Sequence, residues 1–361
     1  MKHKERVYNA LNKKPVDRVP LYMWYHPGTK RRLAKLFEIP EQYISLAFGD
    51  DIRQTWVHNN HAMENVPLLN GETYKDLWGI EWMRQGDFNQ IMTYPLAIAS
   101  PEEIRHYLFP YQHLNLLLDF MVPVIESRAD YFIGCDISPN VFEMYWRLRG
   151  LENAMFDLIE KNNAVLGLLN ACTEFSIVMA EEAMDRFDLD WVWVGDDAGS
   201  QGNMLMSPAM WRELIKPGLK RIFDRIKSRK KLVAFHSCGA IRPIIEDLIE
   251  IGIDVLNPIQ PNCPGMSPLE LKKEYGSKIA FMGGVDTQGV LPKGTAAEVY
   301  KATGDLIAGM TSDGGGYILA AAHTIPPETP DENIFAMYEA AGISKESILD
   351  RVSDIRKRVS A

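Results

Sequence analysis

Lys231–Gly239, KLVAFHSCG, runs from a short apolar segment directly into His, Ser, Cys and Gly. In an extended chain alternate side chains share a face, so His236 and Cys238 point the same way, with the small Ala234 behind them. The same design recurs in DYFIGCD (130–136), DLDWVWVGDD (188–197), DVLNPIQ (254–260), KIAFMGGVD (278–286) and GGYILAAAH (315–323). Each is short, apolar on both faces and followed by helical sequence, which is the pattern of a parallel sheet covered by helices. Polar residues collect at one end of every strand. An open doubly wound sheet concentrates chemistry at a single switch point, whereas a (β/α)8 barrel builds its site from all the C-terminal strand ends. The pattern therefore predicts an α/β fold, a (β/α)8 TIM barrel. Seven strands are evident, at 19–24, 130–135, 189–195, 231–236, 254–258, 279–283 and 316–320, and the eighth has no clear segment.

Upstream, residues 2–13 read as an amphipathic helix and DRVPLYMWY (17–25) as the first strand. Residues 26–112 read as an N-terminal helical and hairpin extension: two short helices, a strand-like DIRQTWVHNN (51–60), and a hairpin over 76–97 turning near Gly86-Asp87. Ser100-Pro101-Glu102-Glu103 is a helix start, with a Ser cap, Pro at the first position and acid at the third. The whole chain of 361 residues is expected to be one barrel domain carrying this cap.

Composition narrows the function. The formal net charge of −9 argues against nucleic acid or an anionic membrane as partner, since both require a basic surface. No run of about 18 apolar residues is evident and the charged N-terminus does not resemble a signal peptide, so a soluble, cytoplasmic protein is expected. Four scattered cysteines do not make a disulfide framework. DGGGY (313–317) precedes a strand and lacks the following Lys-Ser/Thr of a phosphate loop.

The candidate chemistry sits at the strand ends. His236 and Cys238 carry the two ligand types zinc prefers, and His323 at the end of the last strand supplies a third. Three such ligands leave the open position of a catalytic metal. The alternative is that His236 is a hydrogen-bonded core residue and Cys238 a small buried hydrophobe. Asp196 and Asp197 end a strand; at least one is expected at the mouth, as a general acid/base or orienting a ligand, unless it caps the turn that follows. Glu143 either faces the site or pairs with Arg147 at helical spacing. Tyr25, His26, Gln201, Asn257, Gln260 and Asp286 are further candidates for substrate or cofactor contact.

The combination resembles the uroporphyrinogen decarboxylase superfamily, and within it the cobalamin-dependent methyltransferase branch. The resemblance runs through ALNKKPVDRVPL (10–21), DLWGIEW (76–82), GDDAGSQ (195–201), MSPAMWRELIKP (206–217), HSCGAIRPIIEDLIEIGIDVLNPIQP (236–261), FMGGVDTQ (281–288) and GGYILAAAHTIPPETPDENI (315–334). It implies zinc held by the His-x-Cys pair and a later ligand, Cys in the family and His323 here. It also implies a corrinoid, usually carried by a separate protein, and a possible homodimer. The substrate class it implies is a methyl ether, methylamine or thiol. The decarboxylases of the superfamily carry an Arg-rich segment that is missing from MWYHPGTKRRLAKL (23–36), so tetrapyrrole decarboxylation is the alternative reading.

Overall fold

A computed structural model describes residues 1–57, 69–86 and 88–360; His58, His61 and Asp87 lie outside the described residues. Seven strands form one sheet in the order β1 (Ile52–Trp56), β5 (Phe132–Asp136), β6 (Trp191–Gly195), β7 (Leu232–His236), β8 (Val255–Ile259), β9 (Ala280–Val285) and β10 (Tyr317–Ala321). Spatial order follows chain order, and the pairs β5–β6, β6–β7 and β9–β10 are parallel. A separate antiparallel sheet holds β2 (Thr73–Lys75), β3 (Glu81–Gln85) and β4 (Phe88–Thr93). This is the expected α/β barrel topology with a hairpin extension.

The missing eighth strand is β1. The sequence pattern groups 51–60 with the cap, but Ile52–Trp56 is hydrogen-bonded into the main sheet. The expected first strand is looser than its pattern. Among the described residues its bridges are at Leu21 and Tyr25, to Leu319 and Ile325, and Pro20 within it brings no N–H to a ladder. His-Pro-Gly at 26–28 opens a helix rather than merely ending a strand: Pro27 is its first residue and His26 caps it, with Nδ1 accepting from Gly28 N at 3.1 Å.

The chain divides into two compact units, one of residues 1–53, 129–132 and 256–361, the other of 54–128 and 133–255. In the first unit, Asp51 is fully buried and accepts from Arg6, Arg18 and the Leu21 backbone, with His3 Nδ1 2.7 Å away. His3, which reads as a surface residue, thus belongs to a buried network and stacks on Tyr131. In the second unit, the helical run 140–186 breaks at Gly150 and Lys161 into Val141–Arg149, Leu151–Glu160 and Asn163–Arg186. Asn163–Arg186 is long and apolar enough to cross a membrane, yet 61% of its apolar window is buried inside the protein. It packs closely on Gly218, whose added Cβ would lie 2.6 Å from Thr173 Oγ1, as suits a core helix.

Candidate metal centre

β6 and β7 pair in parallel so that Gly195 stands opposite His236. The residues that leave the two strands are therefore brought side by side. Asp196 N donates to the His236 carbonyl at 3.0 Å, Ala198 N to Ser237 Oγ at 3.0 Å, and Ala240 N to the Ser200 carbonyl at 2.9 Å. The two loops touch so closely that only glycine fits at two points. A Cβ on Gly199 would sit 2.4 Å from the Cys238 carbonyl oxygen, and one on Gly239, at φ +86°, 2.5 Å from that of Ser200.

This bracket gathers three ligand types. Cys238 Sγ lies 3.4 Å from His236 Nε2, and His236 Nε2 lies 3.7 Å from Asp197 Oδ1. All three ligand atoms fall within 4.8 Å of one another. Tetrahedral zinc, with bonds of about 2.0–2.3 Å, separates its ligands by about 3.3–3.8 Å, so the two measured contacts fit a shared ion. Imidazole, thiolate and carboxylate are also the donor set zinc accepts, and three of them leave one position open. Asp197 additionally accepts the Cys238 backbone N–H at 2.8 Å, which holds the loop in place, and the His236 ring lies against Trp193 with centroids 6.0 Å apart. Among the described residues this is the one group of three metal-capable side chains so closely placed. Asp197 as a third member was not evident from sequence, because it reaches His236 and Cys238 only through the β6–β7 register.

Asp196 plays a different part. Its carboxylate is fully buried and accepts Glu143 N at 2.7 Å, capping the helix Val141–Arg149, whose N-cap residue Asn140 gives the helix no side-chain bond and instead accepts from Gly195 N. Burial pushes its pKa up to about 8, against the pull of the helix N–H groups. Glu143, in the first turn of that helix, is raised by burial despite the Arg147 guanidinium, which donates to its Oε1 at 2.6 Å, and it feels the charges of Asp197 and His236. Asp136, at the end of β5, is also pushed well up by burial and by Glu143. The helical-spacing alternative for Glu143 is present as its ion pair with Arg147.

The remaining candidates have identifiable local bonds. Tyr25 OH lies 2.5 Å from Tyr338 OH in the first unit. Asn257 is buried and donates to the Met282 carbonyl. Asp286 caps the turn that follows it, accepting from Gln288, Gly289 and Val290 N and from Asn262 Nδ2, and these bonds help hold its pKa below the usual range although burial opposes them. Gln260 Oε1 is 3.7 Å from Cys263 Sγ, and Cys263 is raised by burial. Gln201 is exposed in the loop after β6. His323, just past the end of β10 in the first unit, is half-buried with Nδ1 3.0 Å from Thr324 Oγ1.

Comparison with known proteins agrees with this architecture. A family model described as Uroporphyrinogen decarboxylase (URO-D) matches residues 133–342. The chain is 24% identical over 349 residues to methylcobamide:CoM methyltransferase MtbA of Methanosarcina mazei, covering 94% of this chain and 97% of that protein. It is 27% identical over 216 residues to uroporphyrinogen decarboxylase of Thermus thermophilus, covering 59% of this chain and 55% of that one. A solved structure described as a methyltransferase from Methanosarcina mazei shares the fold, with a TM-score of 0.72 at 20% identity over 95% of this chain and 98% of that one.

Proposed function

This chain belongs to the uroporphyrinogen decarboxylase (URO-D) family, and from that premise we propose that it is a zinc- and corrinoid-dependent methyltransferase. It moves a methyl group between a small substrate and a corrinoid delivered by a partner protein. The observation that carries this reading is the Asp197–His236–Cys238 group, a closely spaced O, N and S donor set at strand ends. The likeness to a methylcobamide:CoM methyltransferase along nearly the whole chain supports it.

Zinc bound there would act as a Lewis acid on the methyl-bearing heteroatom, easing loss of the methyl group from an ether or amine, or of the proton from a thiol. The chain's own residues prepare the site. Trp193 packs against the His236 ring, and Asp197 holds the Cys238 backbone N–H. Asp196 anchors the helix that presents Glu143. His323 is proposed as a further ligand on the strength of the family resemblance, and Tyr25, His26, Gln201, Asn257, Gln260 and Asp286 remain candidate contacts for substrate or corrinoid.

Metal analysis and a spectroscopic screen of cob(I)alamin methylation over methyl ethers, methylamines and methyl thiols test the reading together. The expected result is about one zinc per chain, with zinc and methyl transfer both lost in His236→Ala and Cys238→Ala. His323→Ala decides that residue by its metal content. Full methyl transfer by zinc-free protein rejects the proposal. Release of CO2 from a tetrapyrrole acid, with no zinc bound, establishes the decarboxylase reading instead.

A further inference from the structure

The helices Pro27–Phe37, Asp331–Ala340 and Lys345–Val359, all in the first unit, border a cleft of about 330 Å³ that the proposed chemistry does not use. That volume lies within the range of small-molecule sites. Buried Phe37 and Phe335 pack edge to face with centroids 6.1 Å apart, while Leu36 and Leu349, 51% and 46% exposed, stand at the rim. The helix Lys345–Val359 supplies one wall. Its cleft residues Lys345, Leu349, Val352, Ser353 and Arg356 recur at helical spacing, on one face over about 16 Å. The two cations on that face differ. Arg356 is engaged: its Nε donates to the Phe37 carbonyl at 2.7 Å and its guanidinium lies 3.3 Å from Glu38. Lys345, in the first turn, holds its ammonium 4.9 Å from the centre of the Phe335 ring, and among the described residues no carboxylate pairs with it. The neighbouring Glu346 carboxylate is bonded to Ser344 and to its own backbone N–H.

We propose that this cleft binds a free medium-chain alkyl carboxylate, its chain laid along Leu349 and Val352 and its carboxylate at Lys345. The shape selects the chain: about 330 Å³ spread along this helix face takes a single slender molecule, not a partner helix about 10 Å across. The apolar lining supplies affinity, about fourfold for each methylene taken out of water. Charge supplies direction. The ammonium of Lys345 has no counterion, and the positive end of the helix dipole lies beside it. At the other end Glu38 already balances Arg356, so the ligand carries one charge rather than two. None of this depends on the methyltransferase reading or on the metal centre.

Hexanoate, octanoate and decanoate, kept below the concentrations at which they aggregate, are titrated calorimetrically into the full chain with a metal chelator present. Octanol and octylammonium serve as the neutral and cationic probes of matched length. A single saturable site is expected, with affinity rising about fourfold per methylene from hexanoate to octanoate. Octanoate is expected to bind about tenfold or more tighter than octylammonium. Lys345→Met keeps the stem and removes the charge; it lowers octanoate affinity about three- to fivefold and leaves octanol unchanged. Leu349→Asp weakens both probes. Both positions are exposed, so both variants are expected to fold, as circular dichroism checks. The proposal is overturned if octanoate shows no saturable binding, if octylammonium binds as tightly, or if folded Leu349→Asp keeps the wild-type affinity. Two other occupants would also overturn it. A second copy of the chain shows in sedimentation as a dimer that Leu349→Asp dissociates, without octanoate uptake. A bilayer shows as flotation with phosphatidylglycerol vesicles, again without uptake of the free acid.

Discussion

Asp196 and Asp197 are neighbours in sequence with opposite surroundings, and substitutions separate their roles. Asp196 is a buried helix cap; Asp197 is about one-third exposed beside His236 and Cys238. Asp196→Asn keeps an oxygen for Glu143 N and is expected to fold and bind zinc normally, whereas Asp196→Ala loses about 1–2 kcal/mol of stability. Asp197→Asn keeps the acceptor for Cys238 N but removes the charge, so zinc affinity falls about 10–100-fold with little change in the melting temperature of metal-free protein. Zinc competition titrations and thermal melts check both. An Asp196→Asn protein that folds but has lost zinc would refute this division of labour. At this scale the His-x-Cys pair was legible because alternation in a strand puts both side chains on one face. The partnership with Asp197 was not, because cross-strand register leaves no mark in the local sequence.

At the scale of elements, alternation of short apolar strands with helices was enough to give the barrel, since a strand buried on both faces has few other homes. Residues 17–25 were harder to read. They carry the apolar content of a strand, but among the described residues they bridge only at Leu21 and Tyr25. β1 is polar on both faces at its centre, Arg53 and Thr55 on one side and Gln54 on the other, and so resembled cap rather than barrel; Gln54 in fact accepts from buried Trp191 Nε1 at 2.6 Å. The helix start at Ser100 was fully legible, and its capping box is present. The loop after β7 shows what one backbone position does for an element. Gly239→Ala places a side chain at φ +86° and drives a Cβ against the backbone of 199–200. A cost of about 1–3 kcal/mol is expected, together with loss of zinc binding as the bracket opens, read by a melt and by metal content. Unchanged zinc affinity would show that the close approach of the two loops does not hold the centre.

Across the whole molecule, charges fall into two groups with opposite effects on stability. Asp17, Asp51, Asp247 and Asp313 have cationic partners and are held below the usual carboxylate range although burial opposes this. Their contribution is present above the unfolded pKa and is lost as pH falls below it. Asp50 acts the other way. It is fully buried, accepts from Tyr338 OH at 2.7 Å and from Met23 N at 3.3 Å, and burial raises its pKa to about 7. The folded state therefore holds a proton that the unfolded state has released above about pH 4. Its favourable contribution is complete below that value and is lost as pH rises through about 7. The full span amounts to about 4 kcal/mol, since each tenfold step in proton affinity is about 1.4 kcal/mol. Asp50→Asn removes this term while retaining an oxygen for Tyr338. Its stability is thus expected to decline less between pH 6 and 8.5 than that of the wild type, whatever the absolute cost of losing the acceptor for Met23 N. Denaturant melts of both proteins with a metal chelator present, compared as a difference against pH, isolate Asp50 from the metal centre. A difference that bends near pH 7 supports the assignment; a flat one shows that Asp50 stays ionised and that Tyr338 and the charge of Arg53 are enough to hold it so.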